Sequence, residues 1–306
     1  MNIRASSEIA RHVRDKVSTL GYKTTDDRSR PDQLHTLKDR LRCGPGDIRI
    51  LAKNRFEIAL SATQFNQTVR REFFDGIVRV KGLEKSVRTL SEGNAAAAWL
   101  LTTCYYTSFF AAIEILRCNG SFVSYFHGEA VKQIKQRSST GTSDEIESGT
   151  YVGMAESDTT TGEVKIIFGK MKYRHHEVTW GQLKQIVTET RKKMTGIDAV
   201  HQEQLEKFIG NDNAPFWPSP SDTRNLWNYE DASLFGKNGE ARSGEFRKLA
   251  ANKPASLKWG GQKRTVVTDE SRASSVAFIM NALLCTMEEL SAVLLPESLS
   301  KLLPRS

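Results

Sequence analysis

Residues 221–231, Ser-Asp-Thr-Arg-Asn-Leu-Trp-Asn-Tyr-Glu-Asp, gather a cation, two amides and two aromatic rings into one short segment. Ser221 or Asp222, following the Pro218-Ser-Pro220 loop, predicts a helix N-cap, because a short side-chain oxygen satisfies the free amides of a first turn. On that helix Arg224 and Asn228 stand at i and i+4 and share a face, with Trp227 beside them. Tyr229 is one residue further round and reaches the same cleft only where the helix ends. Arg224 offers a planar, permanent cation suited to phosphate, while Asn228 and Tyr229 offer hydrogen bonds. These three are the candidate catalytic residues, and Asn225 is a candidate nucleic-acid contact. The competing reading is a capped helix start whose arginine ties to a carboxylate or carbonyl.

Other chemistries find less support. His175 and His176 have no carboxylate or cysteine at i+3 or i+4 with which to build a ligand set, so they read as a surface pair, and neither metal nor cofactor is expected. There is no phosphate-binding glycine motif; the nearest approach, Trp259-Gly-Gly-Gln-Lys-Arg264, sets the cations Lys263 and Arg264 beside two glycines. Nucleophile-elbow signatures are absent. The four cysteines show no CxxC spacing and the first residues form no apolar signal region, which predicts a reduced, cytoplasmic protein.

The net charge of +8 is unevenly placed. Residues 1–90 hold 19 Lys/Arg against 11 Asp/Glu, whereas the rest of the chain is balanced. A localised basic excess favours a phosphate backbone through counterion release, or is simply a solvated basic face. Arg70 and Arg71 lie on the polar side of a predicted helix in this region and are candidate nucleic-acid contacts.

The elements that must position these residues are mostly helical. Ile9, Val13, Val17 and Leu20 recur on one helix face, which Gly21 ends. A short helix over 35–41 precedes Cys43-Gly-Pro-Gly. Residues 54–74, with Phe56, Ile58, Leu60, Phe65 and Val69, predict an amphipathic helix. A long helix spans about 92–118, ending at Asn119-Gly120. Its uncharged run, residues 93–113, is long enough for a bilayer. Its alanines and hydroxyls predict a core helix instead, and no second such segment is expected. SFVSYFHGEAVKQIKQ predicts a further helix, and residues 138–149 a polar loop. TYVGMAES and GEVKIIFGK flank a turn and predict a hairpin. Thr179-Trp-Gly-Gln182 reads as a capping box opening a helix to about Lys193. A helix over 199–209, an irregular basic stretch over 236–264 and an apolar helix from Ala273 to Leu295 complete the chain.

Two stretches together resemble a known family. Thr103-Cys-Tyr-Tyr-Thr-Ser-Phe-Phe-Ala-Ala-Ile-Glu-Ile-Leu116, followed by Arg-Cys-Asn-Gly120, is similar to the long helix of HEPN-type proteins, small helical bundles common in bacterial toxin–antitoxin and phage-defence systems. Arg224-Asn225 resembles the first half of that family's arginine–polar–histidine motif. Where the family's histidine would stand, this chain has Asn228, Tyr229, Glu230 and Asp231, and His127 is the histidine that follows the tyrosine-pair helix. The resemblance implies a mostly α fold: a helical bundle with a HEPN-like core and a small β-hairpin insertion near 149–178. Residues 1–90 would form an added basic helical region and 91–306 the HEPN-like domain. It implies an RNA-binding component of a bacterial defence or toxin–antitoxin type system, with metal-independent ribonuclease activity left open by the missing histidine. A homodimer, a partner protein of the same system and RNA or another nucleic acid are the partners implied, with no membrane. The alternative is a non-catalytic protein-interaction subunit of a defence complex.

Overall fold

The computed structural model describes residues 4–22, 35–44, 46–93, 95–139, 146–210, 219–262, 266–296 and 303. In chain order the elements are α1 (Arg4–Thr19), α2 (Leu37–Arg42), β1 (Asp47–Ala52), β2 (Arg55–Ser61), α3 (Ala62–Glu92), α4 (Ala97–Cys118), β3 (Ser121–Phe126) and α5 (Gly128–Arg137). The hairpin β4 (Gly149–Asp158) and β5 (Glu163–Lys170) follows, then α6 (His175–Arg191), α7 (Ile197–Ile209) and α8 (Pro220–Asn225), which runs into a π-helical turn (Leu226–Glu230). Short helices α9 (Ala232–Phe235), α10 (Lys237–Ala241), α11 (Gly244–Ala251) and α12 (Lys253–Gln262) lead to α13 (Asp269–Leu294). The fold is mostly α with a small antiparallel sheet, in line with the sequence.

The predicted hairpin forms, but it is the middle of a five-stranded sheet of order β1-β2-β5-β4-β3. Two segments expected to be helical supply β2 and β3, and residues 47–52, for which no element is expected, supply β1. In β2, Phe56, Ile58 and Leu60 are all at most 1% exposed. Their spacing of two puts them on one side of a strand and would scatter them around a helix. Pairing of Phe56 with Phe168 and of Ile58 with Ile166 buries that row. The helix begins only at Ala62, where Ser61 and Gln64 cap each other reciprocally. Likewise SFVSYF forms β3 along β4, because Gly120, at φ +77, turns the chain sharply after α4. On β4, Gly153 leaves room for the ring of Phe168, which a Cβ would meet at 2.5 Å. Phe168 stacks on Phe56 at 4.8 Å.

α4 and α13 form the centre of the bundle, with α3 against α4 and with α1, α11 and α12 against α13. α1 buries Ile9, Val13 and Val17 as its periodicity predicts, and the Ser6 hydroxyl donates to the Ala282 carbonyl at 3.1 Å. The apolar helix expected from Ala273 covers 269–294, so a second helix is, by length and composition, long and apolar enough to cross a membrane; both it and α4 have 72% of that apolar window buried within the protein. Of the stretch 236–264, expected to be irregular, the described residues 236–262 form three short helices. Gly260 and Gly261 serve close packing there, since a Cβ would fall 2.1 Å from the Phe278 ring and 2.4 Å from the His201 ring. That role leaves the Trp259 segment no open phosphate loop at these two glycines; Lys263 and Arg264 lie outside the described residues. α6 opens at His175, four residues before the expected capping box, and the Thr179 hydroxyl donates to the His175 carbonyl from inside the helix.

A charged group lies between α3 and α4. Arg117 contacts Glu114 at 2.7 Å and Glu72 at 3.0 Å, and Glu72 also accepts from the Leu37 amide. Glu114 is fully buried, and burial pushes its carboxyl up to about 7 against the pull of Arg117. Only a glycine at position 76 permits this approach, because a Cβ there would stand 2.1 Å from the Glu114 carboxyl carbon.

Candidate functional site

α8 starts two residues earlier than expected. Ser219, not Ser221 or Asp222, is the N-cap, its hydroxyl accepting from the Asp222 amide, with Pro220 in the first turn. This leaves Ser221 free to face α4. After Asn225 the helix widens into the π turn, closed by the Asp231 amide on the Leu226 carbonyl at 3.0 Å. In a regular α-helix residues five apart diverge by about 140°. The widened turn brings Tyr229 back over Arg224, with the guanidinium carbon 5.7 Å from the ring centre.

The Arg224 guanidinium also stands 4.9 Å from the ring of Tyr105 and 5.9 Å from that of Tyr106. Thus the tyrosine pair of α4 and the arginine of α8, far apart in sequence, meet. Arg224 has no carboxylate partner among the described residues, and its Nε is buried without a hydrogen bond there. Its charge faces aromatic rings, a cation–π arrangement that keeps the cation available to an anion.

His176 completes the cluster. As the second residue of α6 it stacks on Phe109 with ring centres 4.1 Å apart, and its Nδ1 lies 2.7 Å from the Tyr105 hydroxyl. The same hydroxyl is 3.1 Å from Ser221 Oγ. Burial, then the neighbouring His175 and Arg224, hold the His176 imidazole below the usual histidine range, so it is neutral at pH 7. Burial raises the Tyr105 phenol, which stays protonated. Two tautomers satisfy the contacts. In one of them Nδ1–H donates to Tyr105, Tyr105 donates to Ser221, and Nε2 keeps its lone pair as a proton acceptor.

The other candidate residues fare differently. Asn228 donates from Nδ2 to the Arg224 carbonyl at 2.8 Å and accepts from the Thr102 hydroxyl at 3.2 Å. Both ends of its amide are thus engaged in holding the π turn to α4, so it positions rather than reacts. Tyr229 is 74% exposed and flanks the cluster as a stacking surface. Asn225 is half-buried at the end of α8 beside Arg224. Arg70 is 1% exposed, which removes it from any outer surface. Arg71 is ion-paired with Asp75 at 2.7 Å one turn along α3. His127 is the N-cap residue of α5 and lines a separate cavity, away from Arg224.

His176 is the residue that sequence reasoning missed, having been read as half of a surface pair. The sequence carries no signal for it: the expected helix begins only at Thr179, and nothing local indicates that α6 docks beside Tyr105. Among the described residues no group of three or more His, Cys, Asp and Glu side chains gathers as a metal site. No protein-family model, curated protein or solved structure matches this chain.

Proposed function

We propose that this chain binds RNA at the Arg224 cluster, as a nucleic-acid-associated component of a bacterial defence or toxin–antitoxin type system. The observation that carries this reading is the Arg224 guanidinium, without an acidic partner among the described residues, framed by Tyr105, Tyr106 and Tyr229. A phosphate suits the planar cation, and the exposed ring of Tyr229 suits an unstacked base, while the buried Tyr105 ring backs the guanidinium.

The same reading extends to metal-independent cleavage through His176. Neutral Nε2 would take the proton of a ribose 2′-hydroxyl, the 2′-oxygen would attack the phosphorus, and Arg224 would stabilise the charge gathering on the phosphoryl oxygens. The 5′-oxygen would leave and take a proton from water, giving a cyclic phosphate and a 5′-hydroxyl end. His176 would stand in the role that the missing motif histidine has in the family the chain resembles.

The test is incubation of the purified protein with total RNA in EDTA, comparing wild type, Arg224→Ala and His176→Ala. Cleavage abolished by both substitutions supports the nuclease. Binding lost with Arg224→Ala but no cleavage by any form leaves RNA binding alone. Neither binding nor cleavage sinks the reading and favours the second one, a non-catalytic subunit that docks a partner protein. That reading draws on the exposure of Trp99 (55%) on α4 and of Tyr229 (74%).

A further inference from the structure

Phe109, which stacks on His176, also lines a cavity of about 300 Å³ between α2, α3, α4, β3 and α5. That volume falls at the lower end of small-molecule sites. Its floor is aromatic and buried: Phe109, Phe122 and Phe126 are each at most 6% exposed. The rim is different. Tyr125 is 61% exposed, and Lys38, Arg42 and Arg79 line the opening.

The charge of this rim is unbalanced. Four cations line the cavity, Lys38, Arg42, Arg79 and Arg117, against one carboxylate, Glu72. Glu72 is already used, because it accepts from Arg117 and from the Leu37 amide. Lys38, Arg42 and Arg79 make no ion pair among the described residues; Arg42 donates to the Gln133 side chain at 2.9 Å. Arg79 is held over the Phe110 ring, 4.7 Å from its centre, rather than by an acid. An apolar aromatic floor under a cationic mouth suits a flat ring joined to an anion.

We propose that this cavity binds a nucleotide, its base against the phenylalanine floor and Tyr125, its phosphate at Lys38, Arg42 and Arg79. The size admits one nucleoside phosphate. The nucleotide is either a free mononucleotide or one nucleotide of a strand that also reaches the Arg224 cluster, since Phe109 both lines the cavity and stacks on His176. The cavity stands on its own residues and does not rest on RNA binding at Arg224.

The experiment is calorimetric titration of the full chain with AMP, adenosine, inorganic phosphate and a 5′-phosphorylated RNA oligonucleotide. Wild type is compared with a Lys38→Glu/Arg79→Glu variant and with Tyr125→Ala. All three positions are on the surface, and unfolding temperatures confirm that the variants fold. Saturable AMP binding is expected, at least tenfold weaker for adenosine and for phosphate alone. The charge-reversed pair should lower AMP affinity tenfold or more, and Tyr125→Ala several-fold. If AMP does not bind but oligonucleotide affinity falls tenfold in the charge-reversed pair, the nucleotide belongs to a strand. If neither ligand responds to these substitutions, or if Arg224→Ala abolishes AMP binding, the proposal is overturned. AMP binding that persists while RNA fails to bind sinks the Arg224 reading and leaves this one standing.

Discussion

The Tyr105 hydroxyl lies 2.7 Å from Nδ1 of His176, joining the middle of α4 to the first turn of α6. With Phe109 stacked on the same imidazole, this contact fixes the ring plane and leaves Nε2 as its unbonded nitrogen among the described residues. Arg224 is the nearby cation that helps keep the ring neutral. The site is therefore a single electrostatic unit spread over three helices.

That unit predicts how His176 titrates. Its pKa, followed by NMR on the ring protons, should lie below 6.5, and Arg224→Ala should move it upward, because a like charge is removed. A histidine whose folded pKa is depressed costs stability as pH falls below about 6.5, when the unfolded state binds the proton more readily. His176→Ala should therefore lessen acid destabilisation between pH 6.5 and the folded pKa. An unchanged His176 titration in Arg224→Ala would remove the coupling between them.

Arg224 should be irreplaceable by a simple charge. Arg224→Ala should weaken RNA binding about tenfold and reduce the slope of log affinity against log salt by roughly one, as for the loss of one phosphate contact. Arg224→Lys should restore the slope but only part of the affinity, because a point charge does not lie flat among three rings. Filter-binding across a salt series checks both; an equal slope in wild type and Arg224→Ala places the phosphate elsewhere.

Glu114 predicts the opposite pH dependence. Its folded pKa of about 7 lies above its unfolded value, so the stability it contributes is fully present below about pH 4.5 and is lost as pH rises toward 7. Glu114→Gln should flatten this slope, with a difference from wild type of roughly 3 kcal/mol at most across the window. Urea unfolding from pH 4.5 to 8 measures it.

Two glycines of α3 make a matched pair. Gly76→Ala should cost a few kcal/mol, since its methyl collides with the buried Glu114 carboxyl, 2.1 Å from the carboxyl carbon. Gly82→Ala meets nothing within 4 Å and should gain about 0.5–1 kcal/mol from helix propensity. Similar unfolding midpoints for the two variants would mean that α3 and α4 are not so closely opposed.

Much of this was local and therefore readable. The faces of α1 and α13, the hairpin of β4 and β5, and the Gly120 stop after α4 follow from periodicity and turn chemistry. The strand Phe56–Leu60 was readable too, from its spacing of two, but the longer run through Val69 disguised it. Only the Ser61–Gln64 capping box marks where the strand gives way to α3. By contrast β3 needs β4 beside it, because a strand's backbone groups are satisfied by another segment and not by itself.

The sequence by itself determined the mostly helical class, the basic bias of residues 1–90, and the presence of an arginine of a type suited to phosphate and of a tyrosine pair. Tertiary structure alone decided that Arg224 rests on Tyr105 and Tyr106, that Arg70 is interior, and that His176 joins the cluster. These depend on which helix faces pack together, and such contacts form between residues distant in the chain, where no local propensity or spacing records them.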